Sequence, residues 1–123
     1  MATTNSYTNA KAILRGNTTI YTVPSAGTSI IKSIRVSNVE ENNDRDITLT
    51  ITDSSSVVYY LELNRTIQKG SSQELLAAGN MKTDSSDSSV SSSTPIILKS
   101  SEILKATATG NNLHIIVSIL EMT

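Results

Sequence analysis

Ile47-Thr48-Leu49-Thr50-Ile51-Thr52 alternates an aliphatic side chain with a threonine through three full periods. Side chains of an extended strand point alternately to opposite faces, so this stretch turns one apolar face to a core and a threonine ladder outward. Upstream, Glu40-Glu41-Asn42-Asn43-Asp44-Arg45 reads as a solvated turn. Before it, residues 28–39 form a strand with Ile30, Ile34 and Val36 on one parity and Lys32 marking a wet end. Downstream, Asp53-Ser54-Ser55-Ser56 is a turn cluster, after which Val57, Tyr59, Leu61 and Leu63 face the core against Val58, Tyr60, Glu62 and Asn64. Residues 10–15 and 18–23 flank Gly16-Asn17, a pair suited to the positive φ of a tight hairpin turn, so the chain is expected to open with a hairpin.

The second half is less regular. Ser71-Ser72-Gln73-Glu74 has the spacing of a helix capping box, and Leu75-Leu76-Ala77-Ala78 ends at Gly79, which allows one or two helical turns or an irregular strand. Residues 83–94 are serine-dominated, with Asp84, Asp87 and a single apolar side chain, Val90, and read as an exposed loop. Ile96-Ile97-Leu98 restarts order, residues 103–109 follow, Gly110-Asn111-Asn112 marks a further turn, and residues 113–121 form the most apolar strand. There Leu113, Ile115, Val117 and Ile119 share one face and His114, Ile116, Ser118 and Leu120 the other, as in a central strand or one covered on both sides. The expected fold is all-β, an antiparallel β-sandwich, jelly-roll-like, of about eight strands. Its core is expected to include Ile34, Val36, Leu49, Ile51, Leu61, Leu104, Ile115 and Val117. The expected organisation is an N-terminal arm at residues 1–9 and a single sandwich domain at 10–123 carrying the serine-rich loop.

Composition agrees and excludes several functions. Ile, Leu and Val make up about a quarter of the 123 residues, enough to support a core, and Ser plus Thr about three in ten. Ten Lys and Arg against 11 Asp and Glu give a net charge of -1, with no basic field for nucleic acid. Without cysteine and with one histidine, neither disulfides nor a multi-histidine zinc site can form, and no cofactor is implied. No apolar run approaches the roughly 18 residues that span a bilayer, and the N-terminus lacks a leader pattern, so no membrane is expected and the chain is read as made in the cytosol.

Candidate chemistry is sparse, and the chain reads as non-enzymatic. His114 is the only side chain whose ordinary titration falls near neutrality, but no Gly-x-Ser-x-Gly elbow accompanies it, so it reads as structural or superficial. Asp84 and Asp87 offer oxygens to calcium without the spacing of an EF-hand loop. The acidic turn holding Glu40, Glu41, Asp44 and Asp46 reads as a solubility feature rather than a facing acid/base pair. Asn17-Thr18-Thr19 and Asn64-Arg65-Thr66 match the glycosylation pattern, a chance match in a chain so rich in Asn and Thr. Tyr59-Tyr60 places one ring inward and one outward, leaving Tyr60 to a partner surface, and Tyr7 in the arm is the other candidate interface residue.

Thr19-Ile20-Tyr21-Thr22-Val23-Pro24, then Ser29-Ile30-Ile31-Lys32-Ser33-Ile34-Arg35-Val36-Ser37-Asn38, then Ile96-Ile97-Leu98, Leu104-Lys105-Ala106-Thr107-Ala108 and residues 113–121 resemble small β-sandwich virion proteins of tailed bacteriophages. The likeness runs over about residues 18–122. It departs at Lys99-Ser100-Ser101-Glu102, where the family carries Gly-Asp in a tight turn, so a wider turn is expected here; the serine-rich stretch before Pro95 reads as an insertion. The resemblance implies a multicopy structural subunit at the neck, tail, fibre attachment or capsid exterior of a virion. Its partners would be other virion proteins and copies of itself. The alternative is a glycan- or receptor-binding module displayed on the virion, for which the sequence offers 4 tyrosines and no tryptophan.

Overall fold

The computed structural model describes residues 5–76 and 95–122. Seven strands are present among them: β1 (Asn5–Thr22), β2 (Thr28–Asn38), β3 (Arg45–Thr52), β4 (Val58–Ile67), β5 (Ser72–Glu74), β6 (Ile96–Leu98) and β7 (Ile103–Met122). No helix occurs among the described residues. All pairings are antiparallel and belong to one continuous sheet of order β4-β3-β7-β2-β5, with β1 also on β7 and β6 also on β2.

The long strands β1 and β7 organise the sheet. Residues 103–108 of β7 lie between β3 and residues 16–22 of β1, whereas residues 113–122 lie between β2 and residues 5–14 of β1. The sheet therefore has two halves that share the same two strands. At the junction Leu14 pairs with Leu113 and Gly16 with Ala108, so Arg15 alone stands opposite Thr109, Gly110, Asn111 and Asn112. An unequal count of this kind bends and twists a strand pair. Gly16 and Gly110 hold φ of 66° and 74°, values that suit glycine because it has no Cβ to clash.

This corrects two expectations. Gly16-Asn17 does not close a hairpin, and Gly110-Asn111-Asn112 does not end a strand; both are kinks inside strands that continue. Residues 5–9 form the start of β1 and pair with residues 122–118 of the same chain. Residues 1–4 and the serine-rich stretch 83–94 lie outside the described residues.

One core joins both halves. Ile31, Ile34, Val36, Leu113, Ile115, Val117 and Ile119 contribute from one half and Ile47, Leu49, Leu104 and Ala106 from the other. Six of the eight expected core residues are fully buried, while Ile51 and Leu61 pack partly buried at the margin. Tyr21, paired to Leu104 in one half, ties the halves together at the far end: its hydroxyl donates to the Glu121 carboxylate and shares a 2.8 Å hydrogen bond with the buried Ser29 hydroxyl. The threonine ladder is as expected, with Ile47 and Leu49 buried and Thr48, Thr50 and Thr52 on the opposite parity.

β4 departs from its expected alternation. Register shifts against β3 between Ile47 and Leu49 and again between Leu49 and Thr50 insert extra residues into β4, with Asn64 at φ 51° in the first. Each insertion reverses side-chain parity. Leu63, between the two insertions, is thereby turned outward, whereas Tyr59, beyond both, is back in phase opposite Ile51 and is exposed, like Val57, Val58 and Tyr60, at the open end of an edge strand. The turn Lys99-Ser100-Ser101-Glu102 is tight rather than wide: the Glu102 N–H donates to the Lys99 carbonyl at 3.1 Å and the Lys99 N–H to the Glu102 carboxylate at 2.7 Å. At the capping-box pattern the strand alternative holds, as β5, and the Glu74 carboxylate accepts from the Ile34 N–H at 2.8 Å and the Leu76 N–H at 3.2 Å.

Candidate interaction surface

The strand registers bring together an outward apolar row that no local pattern reveals. Tyr7 of β1 pairs with Leu120 of β7, Leu120 with Ile30 of β2, and Ile30 with Ile97 of β6. These four residues cross the half-sheet on the face turned away from the core. The row is most open at its ends, where Tyr7 is 79% and Ile97 64% exposed. Farther along the same face, Ile13 and Ile116 are also exposed, at 52% and 45%. A shallow hollow of about 370 Å³ lies beside them, lined by Lys11, Ala12, Ile13, His114, Ile115 and Ile116. Apolar residues that continue across four strands mark contact surfaces more often than scattered exposed side chains do.

His114 stands between Ile13 and Ser37 in this register, half-buried at the rim of that hollow. Its cross-strand neighbours are an isoleucine and a serine. Among the described residues no group of three or more His, Asp or Glu side chains is placed to hold a metal ion. Asp84 and Asp87 lie outside the described residues.

The acidic turn does a structural job. Asn38, buried at the end of β2, donates through its side-chain amide to the Asn43 carbonyl at 2.9 Å and the Ile67 carbonyl at 3.0 Å, and accepts from the Glu40 N–H at 3.0 Å. Glu40 then receives Arg45 in a two-pronged contact, Nε to Oε2 at 2.5 Å and Nη2 to Oε1 at 2.9 Å. The Arg45 guanidinium holds the Glu40 carboxyl below its usual range, and Asn43 and Asn112 add hydrogen bonds in the same sense. The Arg45 side chain also lies against Gly110, so this latch sits on the bend of β7.

A chain in the structure of infectious bursal disease virus, Gx strain, superposes on 98% of this chain with a TM-score of 0.52 at 7% identity. This chain spans about a third, 32%, of that longer one. A chain of the acid-stable capsid structure of Helicobacter pylori bacteriophage KHP30 aligns over 99% of this chain and 94% of its own length, with a TM-score of 0.43 and 14% identity. At such identities the likeness to the first is one of fold alone. Both neighbours come from virus structures. No protein-family profile matches the chain, and no curated protein does.

The two residues singled out from sequence fall on different halves of the sheet. Tyr7 belongs to the apolar row, whereas Tyr60, 63% exposed, pairs with Thr50 on the half that carries the threonine ladder. Tyr59 is exposed as well, at 56%, so neither ring of the pair enters the core as had been expected of one. Asn17 lies exposed on β1 beside Thr107, and Asn64 occupies the first bulge of β4.

Proposed function

We propose that the chain is a non-enzymatic structural subunit of a tailed-phage virion, present in many copies at the neck, tail or fibre attachment or on the capsid exterior. It would hold neighbouring virion proteins and copies of itself together. The observation that carries this reading is the apolar row from Tyr7 to Ile97, which continues outward across four strands. The fold shared with a chain of a virus particle supports it, as does the resemblance of the strand motifs to phage virion proteins. The architecture in this reading is a jelly-roll-like sandwich made by one sheet bent at Gly16 and Gly110. Tyr7 and Tyr60 are the contact residues, one on each half.

Residue-level imaging of gradient-purified particles tests the proposal. The expected result is the chain in symmetric copies, with Tyr7 or Tyr60 against a neighbour. Recovery of the chain only in the soluble fraction of the lysate, with none in the particles, overturns it. For the alternative, glycan binding, the adjacent positions of Tyr59 and Tyr60 are unfavourable, because neighbouring strand residues point to opposite faces and build no shared aromatic platform.

A further inference from the structure

Resting on the reading of the chain as a multicopy subunit, we infer that two copies join through β1, antiparallel about Ala10, so that Tyr7 of each copy meets Ile13 of the other. The first reason is the state of the sheet edges. β5 and β6 are three residues long, and β4 is interrupted by two register shifts. Short and bulged edges are poor templates for a further strand. In contrast, β1 is bonded on one side only, to β7, and its residues 5–14 match residues 122–113 one for one. It is the regular, open edge among the described strands. Leu76 follows β5 and Pro95 precedes β6 on the opposite edge of this half-sheet, three strands away from β1.

The second reason is that β1 is complementary to itself in one register. Antiparallel about Ala10, Asn9 faces Lys11, Thr8 faces Ala12, Tyr7 faces Ile13, Ser6 faces Leu14 and Asn5 faces Arg15. Both cations of the strand then lie opposite asparagines. Tyr7 and Ile13, the two large exposed apolar side chains of β1, cover one another twice. An aromatic ring opposite a β-branched side chain is a favourable cross-strand pair. The incoming ring also lands next to the hollow lined by Ile13, Lys11, His114 and Ile116. Centring the pair on Lys11 instead opposes two ammonium groups, and centring it on Asn9 sets Tyr7 against Lys11. In the inferred dimer the half-sheets of both copies become one continuous sheet through the two β1 strands.

The chain contains no cysteine, so engineered thiols report on this register directly. Asn9→Cys and Lys11→Cys are prepared as separate full-length proteins, one carrying a tag, and oxidised alone and as an equal mixture. Opposed residues have Cβ atoms about 4.5–5.5 Å apart and diagonal ones about 7–8 Å, while a disulfide needs about 4.5 Å or less, so unlike links should exceed like links by about tenfold. Like-with-like links in equal or greater yield, or no links in the mixture, overturn the register. Sedimentation of the unmodified protein should show a dimer, and a monomer at concentrations above the micromolar dissociation range of modest interfaces overturns the pairing itself. Both measurements use isolated protein, so their failure is separate from absence of the chain from particles, which overturns the multicopy role.

Discussion

Gly16 and Gly110 share a positive φ but not a neighbourhood, and substitution separates the two effects. A Cβ at Gly16 meets nothing within 4 Å, whereas one at Gly110 would stand 2.6 Å from Arg45 Nε and 2.8 Å from its Cζ. Gly16→Ala should cost about 1–2 kcal/mol from left-handed backbone alone. Gly110→Ala should cost measurably more in urea denaturation, because Arg45 must also give way while Glu40 holds it in two hydrogen bonds. Equal costs would show that the latch moves freely. Tyr21 gives a second prediction, on pH. Burial first, and the Glu121 carboxylate that accepts its proton second, push its pKa from 10.0 up to about 12. A raised value means that the folded state keeps the phenol neutral where the unfolded chain would ionise it. Its stabilising contribution is therefore complete below pH 10.0 and is lost as pH rises towards 12. Melting temperatures of the wild type should fall through that window more steeply than those of Tyr21→Phe; parallel curves would remove Tyr21 as the cause.

β7 and β4 show how strongly the place of a strand in the sheet decides what a substitution does. Val117 is fully buried on a strand flanked by β1 and β2, so Val117→Asp should unfold the chain, since an unpaired buried carboxylate costs several kcal/mol out of about 5–15. Tyr60→Ser, on the edge strand β4, should change stability by less than about 0.5 kcal/mol. Circular dichroism during denaturation measures both, and a large loss for the second would mean that Tyr60 packs within its own chain. Strand β3 was legible in the sequence because its period of two is unbroken and one face is wet. β4 was not, because its two bulges reset parity, and only the match against β3 reveals them; Asn64, a residue type that tolerates positive φ, was the one local sign. Gly16-Asn17 misled for a related reason. Positive φ is needed equally by a hairpin and by a kink, and what distinguishes them is whether the following residues find a partner in the first strand or, as here, in β7. The apolar row was hidden too, since Tyr7, Ile30, Ile97 and Leu120 come together only through three separate registers.

The whole molecule should tolerate loss of residues 83–94. Arg35 pairs with Glu74 and Ile31 with Ile96, so the two ends that need rejoining lie four residues apart along β2, about 13 Å. Residues 75–82 and Pro95 would remain to bridge them, a reach of about 30 Å when extended. Since halving a loop alters its closure entropy by only about 0.6 kcal/mol, the shortened chain should melt within a few degrees of the parent. Loss of soluble protein would instead assign that stretch a packing role. The pairing of β1 with β7 also governs when such a chain can fold. Asn5 meets Met122 and Thr22 meets Ile103, so the partner strands are joined through nearly the full sequence, and β7 lies at the centre of both half-sheets. Contacts so distant in sequence make folding slow, because the entropy of closing the long loop is lost before native contacts compensate for it. During synthesis, β1, β2 and β3 leave the ribosome with their apolar faces prepared and their common neighbour still untranslated. Folding of this sheet must therefore wait for β7 to emerge, and until then β1, β2 and β3 lack the one strand that all three share.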